Sequence, residues 1–540
     1  MEIIIRLFGL ILSYLALLLN RILEYVISRQ QPDFPPIRHP LLLRPVLELV
    51  TALRRGQLTS QQLVEVYIER VREVNPSLNA VVEDRFEEAL LEAKHADRLI
   101  AEASLDYDRV ALFTRYPLLG IPFTVKESCG VKGLSYAVGS VIRKGMKAPR
   151  DGEVVELVRA AGAIPLLVSA TPEFCMSFET NTVANGRCRN PYDLTRSSGG
   201  SSGGEGALNG AGASLFGIGS DIAGSIRLPA MFCGVFGHKP TGGLTSIRGH
   251  FPSSLIDENL TTYLQLGPIT RFARDLPLLL EIMAGDNKHK LKMNEPVPLN
   301  ELKIYYSYGY PGLNGLTHPY VADDIKLAMV RALTCLGKAG IKSKQLDLSF
   351  LDNIFELVIV ALIDLKGLPS IITQQADRPP NMKLVVLEMF NSIIGHSLFT
   401  KEALFLELMQ RLNGMISTNK MQQYRDEVAR IRAYLTELLG DRGVLFLPTF
   451  HSTALNFHTS LFNITGIDSL LLFNVLGFPA THIPMGLSLR GMPVGFQVIA
   501  APYQDKLCLQ IAAEMEAAFL GWTPPVLHQI AVPDTPVLNF

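Results

Sequence analysis

The stretch of this 540-residue chain best suited to chemistry is Arg196 to Ser225, with ten glycines and seven serines in 30 residues. Apolar residues interleave with them (Leu208, Leu215, Phe216, Ile218, Ile222), and the run passes into Ile226–Pro229 without a change of register. A flexible linker has no use for such residues. Glycine lets a backbone approach a ligand closely, and successive N–H groups in glycine turns form nests that bind anions. No G-x-x-x-x-G-K-[ST] string occurs. Gly217-Ile-Gly219 opens like a dinucleotide fingerprint, but Ile222 takes the place of its third glycine. The remaining anion is an oxyanion held beside a serine nucleophile. Gly199-Gly-Ser201-Ser-Gly203 also satisfies G-x-S-x-G. The elbow of α/β-hydrolases needs a hydrophobic strand before it, and Asn190 to Arg196 is loop chemistry instead.

Other chemistries find little support. The 11 histidines show no HExxH, and the six cysteines (Cys129, Cys175, Cys188, Cys233, Cys335, Cys508) show no CxxC. Neither a zinc module nor a disulfide scaffold is expected, and a reducing compartment fits best. No metal and no cofactor are implied. Fifty basic against 51 acidic residues give a net charge of −1, which argues against nucleic acid as the main partner.

The elements that must position the Gly/Ser run alternate in type. Thr59 and Gln62 form a capping box ahead of Leu63, Val64, Tyr67, Ile68 and Val71 at helical spacing, and Asn75-Pro76 is expected to stop that helix. A second helix is expected from about Arg85 to Ala103. Leu118 to Val125 reads as a buried strand ending at Lys126. A helix over Gly152–Ala161 and an apolar strand over Ala163–Val168 follow, and Gly443–Pro448 and Met492–Ala500 read as strands near the C-terminus. This alternation predicts an α/β fold. No second proline-rich linker divides the body, so the expected organisation is an N-terminal membrane anchor over 1–29, a linker over 30–45 carrying Pro32, Pro35, Pro36 and Pro40, and one domain over 46–540.

Gly199 to Ala230 (GGSSGGEGAL, then GIGSDIAGSIRLPA) resembles the amidase signature at almost every constrained position, with Asn209 as a departure. Pro122–Glu127 resembles that family's lysine strand, Thr59–Val82 its N-terminal helix, and Gly234–Gly243 and Phe473–Gly495 its later landmarks. The similarity covers about residues 45–525. The N-terminal apolar segment and Phe174–Asn181 look most like the fatty-acid amide hydrolase branch. The resemblance implies a central twisted mixed sheet wrapped by helices. It also implies a Ser–Ser–Lys triad with Ser225 as nucleophile, Ser201 as bridge and Lys126 as base. Taken alone, Lys126 reads as a surface lysine and the two serines as turn formers. A lysine serves as base only where desolvation favours its neutral form, and the end of an apolar strand is such a place. The implied oxyanion hole is the backbone of Ile222, Ala223, Gly224 and Ser225; relatives often carry Gly where Ala223 stands, which puts a positive φ there in question. Asp221 and Arg227 would hold this loop, and Cys175 and Met176 would line the substrate site.

Residues Leu7 to Asn20 are without charge between Arg6 and Arg21, a helix of roughly 21 Å. That is short of a ~30 Å hydrocarbon core unless extended over Ile3–Ile27. No small-residue cleavage site follows. The expectation is an uncleaved anchor, single-pass or monotopic, on an intracellular membrane or lipid droplet, with a cytosol-facing body favoured by Arg21, Arg29 and Arg38. Leu384 to Met415 is strongly apolar; the resemblance implies a helical cap where lipid enters from a membrane surface, and core helices are an equal reading. The leading expectation is a membrane-bound amidase of long-chain acyl amides, with a homodimer by analogy. The alternatives are a small-amide hydrolase or transamidation subunit, and a catalytically inactive scaffold or lipid-binding protein.

Overall fold

The computed structural model describes residues 34–295, 297–310, 320–351, 353–412 and 417–526, with Ile11, Tyr14, Leu15, Leu18, Leu19 and Ile22. Those six N-terminal residues are helical and recur at the spacing of one helix face. The rest of the expected anchor lies outside the described residues. No helix among the described residues is long and apolar enough to cross a membrane.

Eleven strands build one mixed sheet: β1 Val81–Asp84, β2 Pro122–Lys126, β3 Ile164–Ser169, β4 Phe216–Asp221, β5 Phe236–Lys239, β6 Gln265–Thr270, β7 Lys303–Tyr306, β8 Ser343–Gln345, β9 Gly443–Pro448, β10 Ala480–Leu487 and β11 Pro493–Ala500. Their order is β1-β3-β2-β4-β6-β5-β10-β11-β9-β7-β8. β2 lies parallel to both neighbours, with Val125 opposite Val168 of β3 and Ile218 of β4. β6 then runs antiparallel to β4, Gln265 facing Asp221. Central strands covered on both faces are largely apolar, and β2, β3 and β4 are wholly buried, with Lys126, Ser169, Ser220 and Asp221 gathered at their C-terminal ends.

Two large cores flank this sheet. One gathers the helix Ser60–Leu78 (Leu63, Val64, Tyr67), Phe123, Leu167 and Ile218. The other gathers Phe236, Phe446, Leu470, Ile483 and Val498.

The capping box at Thr59 forms as expected, but the helix runs on to Leu78 with Pro76 inside it. Pro76 falls in the last turn, and the chain turns out at Asn79, whose φ is 52°. Asn75 Oδ1 then accepts from the N–H groups of Ala80 and Val81 at 2.8 and 3.0 Å, satisfying the exit. The proline-rich segment differs from an extended linker where it is described. Phe34, Ile37 and Leu42 are buried in the first core, and the Arg70 guanidinium donates to the carbonyls of Pro35 and Pro36. Proline leaves its carbonyl free to accept, and a buried arginine supplies the donors.

Candidate active site

Side chains alternate along a strand, so Thr124 and Lys126 share one face of β2 while Phe123 and Val125 take the other. Phe123 stacks on Phe216 at 5.4 Å between centroids, tying β2 to β4. Thr124 Oγ1 donates to Glu205 Oε2 at 2.6 Å, tying β2 to the helix Gly203–Gly210 behind it. Burial pushes the Glu205 carboxyl up to about 7. With its strand fixed on both sides, Lys126 is fully buried, and its Nζ lies 2.7 Å from Ser201 Oγ, 2.9 Å from Ser220 Oγ and 3.4 Å from Ser220 O.

Ser201 sits in the turn that leads into the helix Gly203–Gly210, after a cis peptide from Gly200. Ser225 follows the end of β4, and its carbonyl accepts from Ser202 N–H at 3.2 Å, which lays the two serine turns side by side. Ser201, Ser225 and Lys126, 99 residues apart in sequence at the widest, thus meet at the C-terminal ends of β2 and β4. Ser201 contacts Lys126 directly. No hydrogen bond within 3.5 Å joins Ser201 Oγ to Ser225 Oγ among the described residues; such links commonly tighten only when substrate is bound. Both serines border one apolar cavity together with Phe174, Cys175, Met176, Ile222, Ala223, His250, Leu362, Leu406 and Ile467.

The loop after β4 is held by Asp221. Its Oδ1 accepts from Gly224 N–H at 2.7 Å and its Oδ2 from Ile226 N–H at 3.1 Å. Gly224 N–H is therefore directed at Asp221, and of the four expected oxyanion donors it is the N–H groups of Ile222, Ala223 and Ser225 that have no hydrogen-bond acceptor among the described residues. The left-handed residue is Gly224, φ 99°, not Ala223. A Cβ at Gly224 would lie 2.5 Å from Leu470 Cδ1, so the methyl of Ala223 is tolerated where one at 224 is not.

Arg227 completes the loop's support. Its guanidinium donates to Asp221, to Gln497 Oε1 at 2.9 Å, to Leu470 O at 3.0 Å and to Asn474 Oδ1 at 2.7 Å. Burial alone would raise the Asp221 carboxyl, but the charge and hydrogen bonds of Arg227 hold it well below the usual carboxylate range. Burial likewise favours the protonated Cys175 thiol. There the charge of Lys126, with help from His250, prevails and lowers it to about 6.

Sequence reasoning missed Ser220, His250, Asn474 and Gln497. Ser220 stands inside the signature on the face of β4 turned to Lys126, and Asn474 opens the landmark beginning at Phe473, so both carried a signal. His250 lies in an irregular loop with no periodic or spacing cue. No group of three or more His, Cys, Asp or Glu able to hold a metal occurs among the described residues.

The family model for amidase matches residues 62–509. Fatty-acid amide hydrolase 2-B of Danio rerio is 38% identical over 502 residues, which cover 92% of this chain and 94% of that protein. Fatty-acid amide hydrolase 2 of Homo sapiens is 35% identical over 512 residues, covering 91% of this chain and 92% of that one. A solved structure of a fatty acid amide hydrolase shares the fold with a TM-score of 0.66 over 89% of this chain and 86% of its own, at 21% identity. The chain belongs to the amidase signature family, with its α/β fold, and is an amide-hydrolysing enzyme that cleaves carbon–nitrogen bonds.

Proposed function

We propose that the enzyme hydrolyses fatty-acid amides through an acyl-enzyme on Ser225. The observation that carries this reading is the 2.7 Å approach of buried Lys126 Nζ to Ser201 Oγ at the wall of an apolar cavity that also holds Ser225. Neutral Lys126 takes the Ser201 proton while Ser201 takes that of Ser225, and Ser225 Oγ bonds to the amide carbonyl carbon. The N–H groups of Ile222, Ala223 and Ser225 receive the developing oxyanion. The proton returns from Lys126 through Ser201 to the amine nitrogen as the C–N bond breaks. Water, deprotonated by the same relay, then releases the fatty acid and restores Ser225. Asp221 and Arg227 keep the loop in place, and Cys175 borders the bound chain.

The lipid half of the reading draws on the cavity and its roof. Leu362 from the helix Ile354–Ile363 and Leu406 from the helix Lys401–Leu412 close over it. The cavity measures about 100 Å³, below the ~300–1,000 Å³ usual for small-molecule sites, so a long acyl chain enters as these helices part. Beside them the helix Met382–Ile393 exposes Val386, Leu387, Phe390 and Ile393, a surface suited to a bilayer. The names of the fatty-acid amide hydrolase 2 relatives agree with this substrate class.

The test is amine release from amides of graded acyl length by the purified enzyme and its Ser225→Ala variant. Turnover that rises with chain length and vanishes in the variant supports the reading. Turnover of short amides alone removes the lipid assignment, and full turnover by Ser225→Ala removes the nucleophile.

A further inference from the structure

We propose that His250 is a positioning residue for Lys126, acting through Ser220 to hold the lysine's lone pair on Ser201. The proposal rests on the reading of Lys126 as the base. His250 is buried on the cavity wall, in the loop that follows β5. Its Nδ1 lies 3.0 Å from Pro252 O and its Nε2 lies 2.9 Å from Ser220 Oγ. The same Ser220 Oγ lies 2.9 Å from Lys126 Nζ.

The proton positions follow from what each atom is able to do. A carbonyl oxygen only accepts, so Nδ1 carries a hydrogen, and in the neutral form of the ring Nε2 presents a bare lone pair. Ser220 has one hydroxyl hydrogen, and it donates it to that lone pair. Ser220 Oγ is then an acceptor only from the lysine's side, as is Ser220 O at 3.4 Å. A neutral amine has two N–H groups and one lone pair. Both N–H groups turn to Ser220, and the lone pair is left facing the third neighbour, Ser201 Oγ at 2.7 Å. That is the orientation in which Lys126 removes the Ser201 proton.

Without the His250 acceptor, the Ser220 hydrogen is free to turn toward Lys126 Nζ. Ser220 and Ser201 then compete for one lone pair, and Lys126 spends part of its time in a geometry that removes no proton. The loss falls on the chemical step rather than on substrate affinity. His250 thus acts on the reaction without touching the reacting atoms.

The experiment measures kcat and KM for ammonia release from a long-chain primary amide with His250→Phe, His250→Gln, Ser220→Ala, His250→Phe/Ser220→Ala and Lys126→Met. Phe keeps the ring's bulk without an acceptor, and Gln keeps an acceptor near the Nε2 position. Expected are a fall in kcat of about 10–100-fold for His250→Phe at a KM within about threefold of the parent, and recovery of most of it in His250→Gln. Because both act along one path, the double variant is expected to be no slower than Ser220→Ala alone. Equal losses in Phe and Gln, a change in KM alone, or additive losses in the double variant overturn the proposal. Should His250→Phe not fold, Ser220→Ala decides, and kcat at the parent level in that variant overturns it. If Lys126→Met retains turnover, the base assignment itself falls. If Lys126→Met is dead while His250→Phe matches the parent, only the role of His250 falls.

Discussion

Arg227 grips Asp221 through two N–H···O bonds, Nε to Oδ2 at 3.0 Å and Nη2 to Oδ1 at 3.1 Å, with both side chains wholly out of solvent. Breaking one partner of such a pair leaves a buried charge unpaired, which typically costs about 3–5 kcal/mol. Arg227→Met is expected to lose stability on that order and to lose turnover with it, because Asp221 no longer holds Gly224 and Ile226. The pH dependence has a definite sign. The native Asp221 carboxyl is depressed, so its contribution is complete above the ordinary carboxylate range and is lost only as pH falls through the much lower native value. The deficit of Arg227→Met in thermal unfolding is therefore largest near neutrality and narrows on acidification, as the stranded Asp221 takes up a proton. A deficit that does not change between pH 7 and pH 3 contradicts this account.

The oxyanion loop makes a contrast between neighbours. Gly224→Ala combines a positive φ with a methyl driven against Leu470, and is expected to lose roughly 1–3 kcal/mol and most turnover. Ala223→Gly, one residue earlier, is expected to keep both. Unfolding midpoints and amide turnover of the two variants check this, and comparable damage at both positions would falsify it.

Cys175 reports on the charge of Lys126. The thiol is lowered to about 6 by the lysine's charge acting against burial. Alkylation by iodoacetamide is expected to rise with pH through a midpoint near 6 in the parent and at a clearly higher pH in Lys126→Met, where only His250 and Thr171 still oppose burial. A midpoint that Lys126→Met leaves unchanged contradicts this account.

The helix Met382–Ile393 offers a surface test of the lipid reading. Phe390 is 59% exposed and Ile393 77%, so charging them disturbs no packing of the core. Phe390→Asp/Ile393→Asp is expected to weaken liposome binding by about tenfold or more. Turnover of a short soluble amide is expected to stay at the parent level. Unchanged sedimentation with liposomes would remove this helix from the membrane contact.

Much of this was legible because it is local. A capping box is read from Thr59 and Gln62 alone, and a strand such as Gly443–Pro448 from its own apolar run. The place of Lys126 at the end of β2 was legible for the same reason, but its burial was not, since taken alone it reads as a surface lysine. What escaped was decided by side-chain partners, most of them remote in sequence. Pro76 reads as a stop only until Asn75 and Asn79 supply the exit. Pro35 and Pro36 read as solvated linker because Arg70 lies on another element. Nothing within ten residues of His250 marks it, since Ser220 comes from a strand 30 residues earlier.

The Arg227 clamp also has a consequence for biosynthesis. Every side chain in the relay from Lys126 to His250 lies in the first half of the chain. Leu470, Asn474 and Gln497, which seat the arginine, arrive from the ribosome some 220 residues later. A nascent polypeptide that has emerged as far as β6 carries all of these side chains, but its loop after β4 has only the Asp221 contacts and lacks those three seats for Arg227. A fragment ending before Leu470 is therefore expected to be inert although it carries all of these side chains.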